Sequence, residues 1–201
     1  MSDSDQAEDK HEPAARLLPV DDMDRSIVMV GLMGAGKSSI GRRLATRLNL
    51  PFVDADTEIE AAAGCTIAEF FESHGEAAFR DGERRVIARL LEDEPKVLAT
   101  GGGAFMDAET RAAIAHAGIS VWLRADLETL VRRTARRTDR PLLNNADPAK
   151  TLESLMETRH PVYAQADIVV ESNDGPPDET VERVVDAVVA FRNRTKASPA
   201  Q

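Results

Sequence analysis

The run Ser26-Ile-Val-Met-Val-Gly31-Leu-Met-Gly-Ala-Gly-Lys37-Ser38 passes from an apolar segment straight into G-x-x-x-x-G-K-S. Residues 26–31 have the continuous apolar character of a parallel strand buried on both faces. Lys37 to Leu48 follows with the apolar spacing of a helix. Strand, loop and helix in that order are the context a phosphate-binding loop requires. Its glycines let the backbone wrap closely around phosphate oxygens, and the first N–H groups of the helix point at the anion. Lys37 would reach the β- and γ-phosphates, and the Ser38 hydroxyl would sit on Mg²⁺. A glycine-rich turn that binds nothing is the bland alternative, but Lys and Ser in place with correct flanks favour a nucleoside triphosphate.

The rest of the chain repeats this alternation. Further strands are expected at 51–54, 96–100, 119–123 and 167–170. Helical patterns lie at 57–63, 67–73, 76–92, 108–117, 127–138, 149–164 and 179–193. Thr66 with Glu69 fits a capping box. Asp107, Asp126 and Asp147 (before Pro148) fit N-caps, and Gly118 a helix stop. Such alternation predicts an α/β fold, a parallel sheet with helices on both faces, and ligands beyond the carboxyl ends of its strands. The chain has 201 residues, enough for one such domain.

Net charge is −10, and residues 1–24 hold eight acids against two bases, which concentrates the charge in a segment expected to be a disordered tail. A pI near 4.9 argues against nucleic acid as a partner. No run of about 18 apolar residues predicts a membrane span, and no signal pattern is present. The lone Cys65 suits a reducing compartment, so the expectation is a cytoplasmic protein.

Polar residues at the strand ends are the functional candidates. Asp54 and Asp56 close the second strand, and in an extended chain they would face one cleft. A carboxylate there commonly helps hold Mg²⁺ through water; a second can accept a substrate hydroxyl's proton. Asp56 as a simple N-cap of the next helix is the competing account. Gly101-Gly102-Gly103 costs conformational entropy that a turn alone seldom demands, which favours close approach to a ligand. Arg132, Arg133, Arg136, Arg137 and Arg140 crowd one helix and its end, and a lid bringing guanidinium to a transferring phosphoryl group fits them best. Arg80 and Arg159 alone read as surface charges; with Asp56 they could build a pocket for an acceptor carrying carboxylate and hydroxyls. The four histidines lack metal-ligand spacing, and Trp122 reads as core.

Together these pieces resemble the shikimate kinases, a family of P-loop kinases related to the nucleoside-monophosphate kinases. The resemblance is carried by residues 31–45, Asp54-Ala-Asp56, Ile67-Ala-Glu-Phe-Phe71, Gly75-Glu76 with Phe79-Arg80, Gly101–Gly103, Arg140-Pro141 and Arg159-His-Pro-Val-Tyr163. It implies a three-layer fold whose five-stranded parallel sheet has the order 2-3-1-4-5. It places the domain at 25–195, with a substrate-binding region at 54–85, a lid at 132–148 and a tail at 196–201. It implies ATP-dependent phosphorylation of the 3-hydroxyl of shikimate, with one Mg²⁺, on the way to chorismate and the aromatic amino acids. Residue by residue, it puts nucleotide at Gly34, Ala35, Gly36, Lys37, Ser38, Ser39, Arg133 and Arg140. It puts shikimate at Asp56, Arg80, Gly102 and Arg159, and metal at Ser38 and, through water, at Asp54. Lys37, Asp56 and Arg140 become the catalytic residues. A monomer is expected. Two rivals are a kinase for another small acceptor such as gluconate, and a catalytically silent ligand sensor.

Overall fold

Every residue of the strand β1, Ser26–Val30, is buried, because β1 occupies the middle of the sheet and has helices over both faces. The computed structural model describes residues 23–135 and 147–197. In chain order, β1 is followed by α1 (Lys37–Leu48), β2 (Phe52–Asp54), α2 (Ala55–Ala63) and α3 (Ile67–Glu92). Next come β3 (Val97–Ala99), a short 3-10 turn (Ala104–Met106), α4 (Ala108–Ala117), β4 (Gly118–Arg124) and α5 (Leu127–Thr134). The last elements are α6 (Pro148–Tyr163), β5 (Ile168–Glu171) and α7 (Pro177–Ala197). The sheet is parallel throughout, in the order β2-β3-β1-β4-β5. Val28 of β1 sits between Leu98 of β3 and Ser120 of β4. Helices α1 and α7 pack side by side, as do α3 with α4 and α5 with α6.

Local signals set most boundaries. Thr66 and Glu69 form the reciprocal capping box that starts α3, which satisfies two otherwise orphaned donors. Asp107, Asp126 and Asp147 each accept the N–H of the residue three positions on and start α4, α5 and α6. The patterns at 67–73 and 76–92 form one helix with a kink, because Gly75 takes φ 79°, ψ 173°. The expected helix at 127–138 is followed as far as Thr134; its remainder lies outside the described residues.

Three expectations change: the start of α2 and both edges of the domain, since α7 runs to Ala197, past the expected boundary at 195. Helix α2 begins at Ala55 rather than 57, and its N-cap is Asp54, whose side chain accepts the Asp56 N–H. The chain is therefore no longer extended at Asp56, and the alternation argument for a shared Asp54–Asp56 face does not apply. At the N-terminal edge, Met23 is only 7 % exposed and belongs to the core. The Arg192 guanidinium of α7 reaches its sulfur at 3.2 Å, so packing starts two residues before the expected boundary at 25. Residues 1–22 and 198–201 lie outside the described residues.

Candidate active site

The phosphate loop leaves β1 at Gly31 and enters α1 at Lys37. Gly34 has φ +84°, and a β-carbon there would lie 2.9 Å from Thr134 Cγ2. Neither the dihedral nor the space admits a side chain. No side chain caps the N-terminus of α1, which keeps its first N–H groups and positive dipole end for an anion. Lys37 Nζ donates to the carbonyls of Gly31 (2.8 Å) and Leu32 (3.0 Å), folded along the loop it would serve. The Ala35 carbonyl accepts the Ser172 hydroxyl at 2.7 Å, which braces the loop from the end of β5. Ser39 Oγ takes a hydrogen bond from Arg43 at 3.0 Å.

Arg133, at the last turn of α5, reaches the same loop. Its Nη1 donates to Ser172 Oγ at 3.0 Å and to the Gly34 carbonyl at 3.4 Å, and Asp174 lies 3.6 Å from its Nε. A cavity of about 200 Å³ opens between Gly36, Ser39, Arg133, Ser172, Asn173 and Pro177. A hollow of about 460 Å³ along the start of α6, lined by Asp147, Lys150, Thr151, Ser154 and Leu155, contains none of these residues.

Ser38 donates its hydroxyl hydrogen to Asp54 Oδ2 at 2.7 Å. This links the first turn of α1 to the end of β2 and puts two hard oxygen groups beside the phosphate loop. Among the described residues no group of three or more His, Cys, Asp or Glu side chains could cage a metal. The Ser38–Asp54 pair instead fits the Mg²⁺ habit of one or two protein oxygens, with water and substrate phosphates supplying the rest.

A second cluster gathers around the loop after β3. A methyl group on Gly101 would lie 2.9 Å from both Asp56 Oδ1 and Glu83 Oε1. A larger residue would push these two carboxyl groups aside, so the glycine lets both approach the loop. One residue on, the Gly102 carbonyl accepts Arg159 Nη1 at 2.9 Å and the Tyr163 hydroxyl. Arg80 Nε donates to Glu76 Oε1 at 3.0 Å, one helical turn earlier. Behind it the Phe79 ring, buried, stacks on Phe71 at 4.5 Å.

The electrostatics tie these groups together. Glu83 is only 6 % exposed; burial first, and then the Asp56 charge, push its carboxyl up to about 7, while Arg80 and Arg159 pull it back. Arg80, and more weakly Arg159, hold Glu76 below the usual carboxylate range. Four sequence candidates, Asp56, Arg80, Gly102 and Arg159, thus converge from α2, α3, the loop after β3 and α6. Arg140, with Arg136 and Arg137, lies outside the described residues. Sequence reasoning passed over Glu83, whose neighbours Asp81, Arg84 and Arg85 make it look like part of a solvated helix face. His160 is half-buried, edge-on to Trp122 at 4.9 Å, and burial followed by the Arg124 charge lowers its pKa.

The sequence and the fold both have counterparts among known proteins. The sequence profile of the shikimate kinase family matches residues 33–189. A shikimate kinase of Paramagnetospirillum magneticum is 57 % identical over 184 residues, 90 % of this chain and 94 % of that one. One of Bradyrhizobium diazoefficiens is 61 % identical over 166 residues, covering 83 % and 80 %. The solved shikimate kinase of Acinetobacter baumannii in complex with shikimate superposes with a TM-score of 0.81 at 36 % identity, covering 86 % of this chain and 98 % of that one. With the profile spanning most of the domain and relatives this close along nearly their whole length, the chain belongs to the shikimate kinase family.

Proposed function

We propose that the chain moves the γ-phosphoryl group of ATP onto the 3-hydroxyl of shikimate, yielding shikimate 3-phosphate and ADP, and that the two clusters described above divide the work. The observation that carries this is the meeting of Asp56 with Gly101 and of Arg159 with Gly102, with Arg80 near enough to act on Glu83 in the same cluster, beside a phosphate loop built from β1 and α1. Arg80 and Arg159 grip the acceptor carboxylate; guanidinium suits that group because it offers paired donors in a fixed fork. Asp56 and the Gly102 backbone orient the ring hydroxyls. Asp56 takes the proton of the attacking hydroxyl as its oxygen bonds to phosphorus, and the bond to the ADP oxygen breaks. Lys37 leaves its loop carbonyls for the phosphates, and Gly34, Ala35, Gly36, Ser38 and Ser39 wrap them with N–H groups. Arg133 braces the loop from α5, and Arg140 acts on the transferring phosphoryl group. Catalysis on this plan is chiefly positioning and charge stabilisation.

Ser38 and, through water, Asp54 would hold one Mg²⁺ there, as their oxygen chemistry and placement allow. Bound at this point, Mg²⁺ would neutralise phosphate charge during transfer. The same reading takes the enzyme as a cytoplasmic monomer that engages neither nucleic acid nor membrane. The acidic pI supports the nucleic-acid part of it. No described helix is long and apolar enough to cross a membrane.

Arg159→Ala tests the pocket. Losing a charge-assisted contact to carboxylate should raise the shikimate KM about tenfold to a hundredfold, with the ATP KM within twofold. An unchanged shikimate KM would remove Arg159 from the acceptor site.

A further inference from the structure

Tyr163 is fully buried, with 0 % exposure, yet carries a hydroxyl. A phenol taken out of water needs partners, and both of its partners lie in the candidate site: its O–H donates to the Gly102 carbonyl, and the Arg159 side chain hydrogen-bonds to its oxygen. The Gly102 oxygen also receives Arg159 Nη1 at 2.9 Å. Tyr163 stands four residues after Arg159 on α6, so one face of one helix delivers both donors. The ring has little room to wander. Its centroid lies 5.8 Å from Trp122 and 6.4 Å from Phe105, and the helix ends at this residue. Phenylalanine would fill the same space, so packing alone leaves the hydroxyl unexplained.

Two donors on one carbonyl fix the plane of the Gly102–Gly103 peptide, which is stiff in itself. They also set the surface against which the Arg159 guanidinium rests. A guanidinium held by one N–H on a fixed oxygen presents its remaining donors in a fixed direction. We infer that Tyr163 is a positioning residue for the acceptor: its hydroxyl anchors the Gly102 carbonyl, and through that oxygen and its own contact with Arg159 it aims the guanidinium at the acceptor's carboxylate. This rests on the reading that Arg159 and Gly102 belong to the shikimate pocket.

Tyr163→Phe removes one oxygen and keeps the ring. Shikimate KM, ATP KM and kcat would be measured separately, with shikimate Kd from titration calorimetry and Tm from a thermal scan. The expected result is a rise of about fivefold to tenfold in shikimate Kd and KM, with ATP KM within twofold. Placed on Arg159→Ala, the same change should add less than twofold, because the hydroxyl acts through Arg159. A purely structural hydroxyl would lower Tm and leave shikimate affinity alone, or move both substrates alike, or add its full effect on Arg159→Ala; any of these overturns the inference. If Arg159→Ala loses shikimate affinity while Tyr163→Phe keeps it, only the role of Tyr163 falls. If neither loses it, the pocket assignment falls as well.

Discussion

Replacing Glu83 by glutamine swaps a buried carboxyl for an amide of nearly the same shape. In the native protein burial, followed by the Asp56 charge, raises this carboxyl from 4.5 to about 7. Asp107 adds to the rise, while Arg80 and Arg159 oppose it. In the unfolded chain it returns to its ordinary value. Below about pH 4.5 both states carry the proton, and Glu83 imposes no penalty. Between there and about pH 7 the unfolded state has released a proton that the native state keeps, so stability falls by roughly 1.4 kcal/mol per pH unit. Above about pH 7 the whole cost, ~3 kcal/mol, is present. Glutamine does not titrate and escapes it. Glu83→Gln should therefore gain under about 1 kcal/mol over wild type at pH 5 and about 3 kcal/mol at pH 8. For a domain of this size the gain at pH 8 amounts to roughly 6–12 °C in Tm. Urea denaturation of both proteins at both pH values, followed by circular dichroism, reads the difference while other titrating groups cancel. An equal gain at the two pH values would defeat the argument. So would a loss at pH 8, since it would mean that Arg80 and Arg159 hold Glu83 as a stable carboxylate.

Two further outcomes follow from the same geometry. Asp56→Asn keeps the shape beside Gly101 but cannot take a proton, so kcat should drop by about 10²–10⁴ with ATP Kd within twofold; weakened ATP binding would instead make Asp56 structural. Gly34→Ala forces a methyl group toward Thr134 Cγ2, 2.9 Å away, at φ +84°. A cost of about 1–3 kcal/mol in stability and a raised ATP KM should both appear, and an unaltered Tm would contradict the strain.

The elements that sequence resolves best are those whose cause is local. Residues 26–48 carry an apolar run, the loop glycines and a helical repeat, and the structure reproduces the helix boundaries there at Lys37 and Leu48. The capping box at Thr66 and the aspartate caps are also written within four residues of their effect. What stays hidden depends on distant partners. Strand alternation groups Asp54 with Asp56, but α2 starts at Ala55; Asp56 meets Gly101 because β2 and β3 run side by side, with Asp54 opposite Ala99. Glu83 sits in a charged stretch of α3, and its burial beside Gly101 depends on the tertiary packing of that helix. Tyr163 and Gly102 are 61 residues apart in the chain, so periodicity could not join them. Arg140, which the arginine cluster and the resemblance both put at the transferring phosphoryl group, lies outside the described residues.

The measurement that bears most directly on the proposed reaction is ADP release from Mg·ATP in a coupled assay, with shikimate and then gluconate as acceptor. The convergence of Asp56, Arg80 and Arg159 predicts turnover with shikimate and none with gluconate. A protein that binds ATP yet turns over neither acceptor would contradict it and turn the same pocket into that of a ligand sensor.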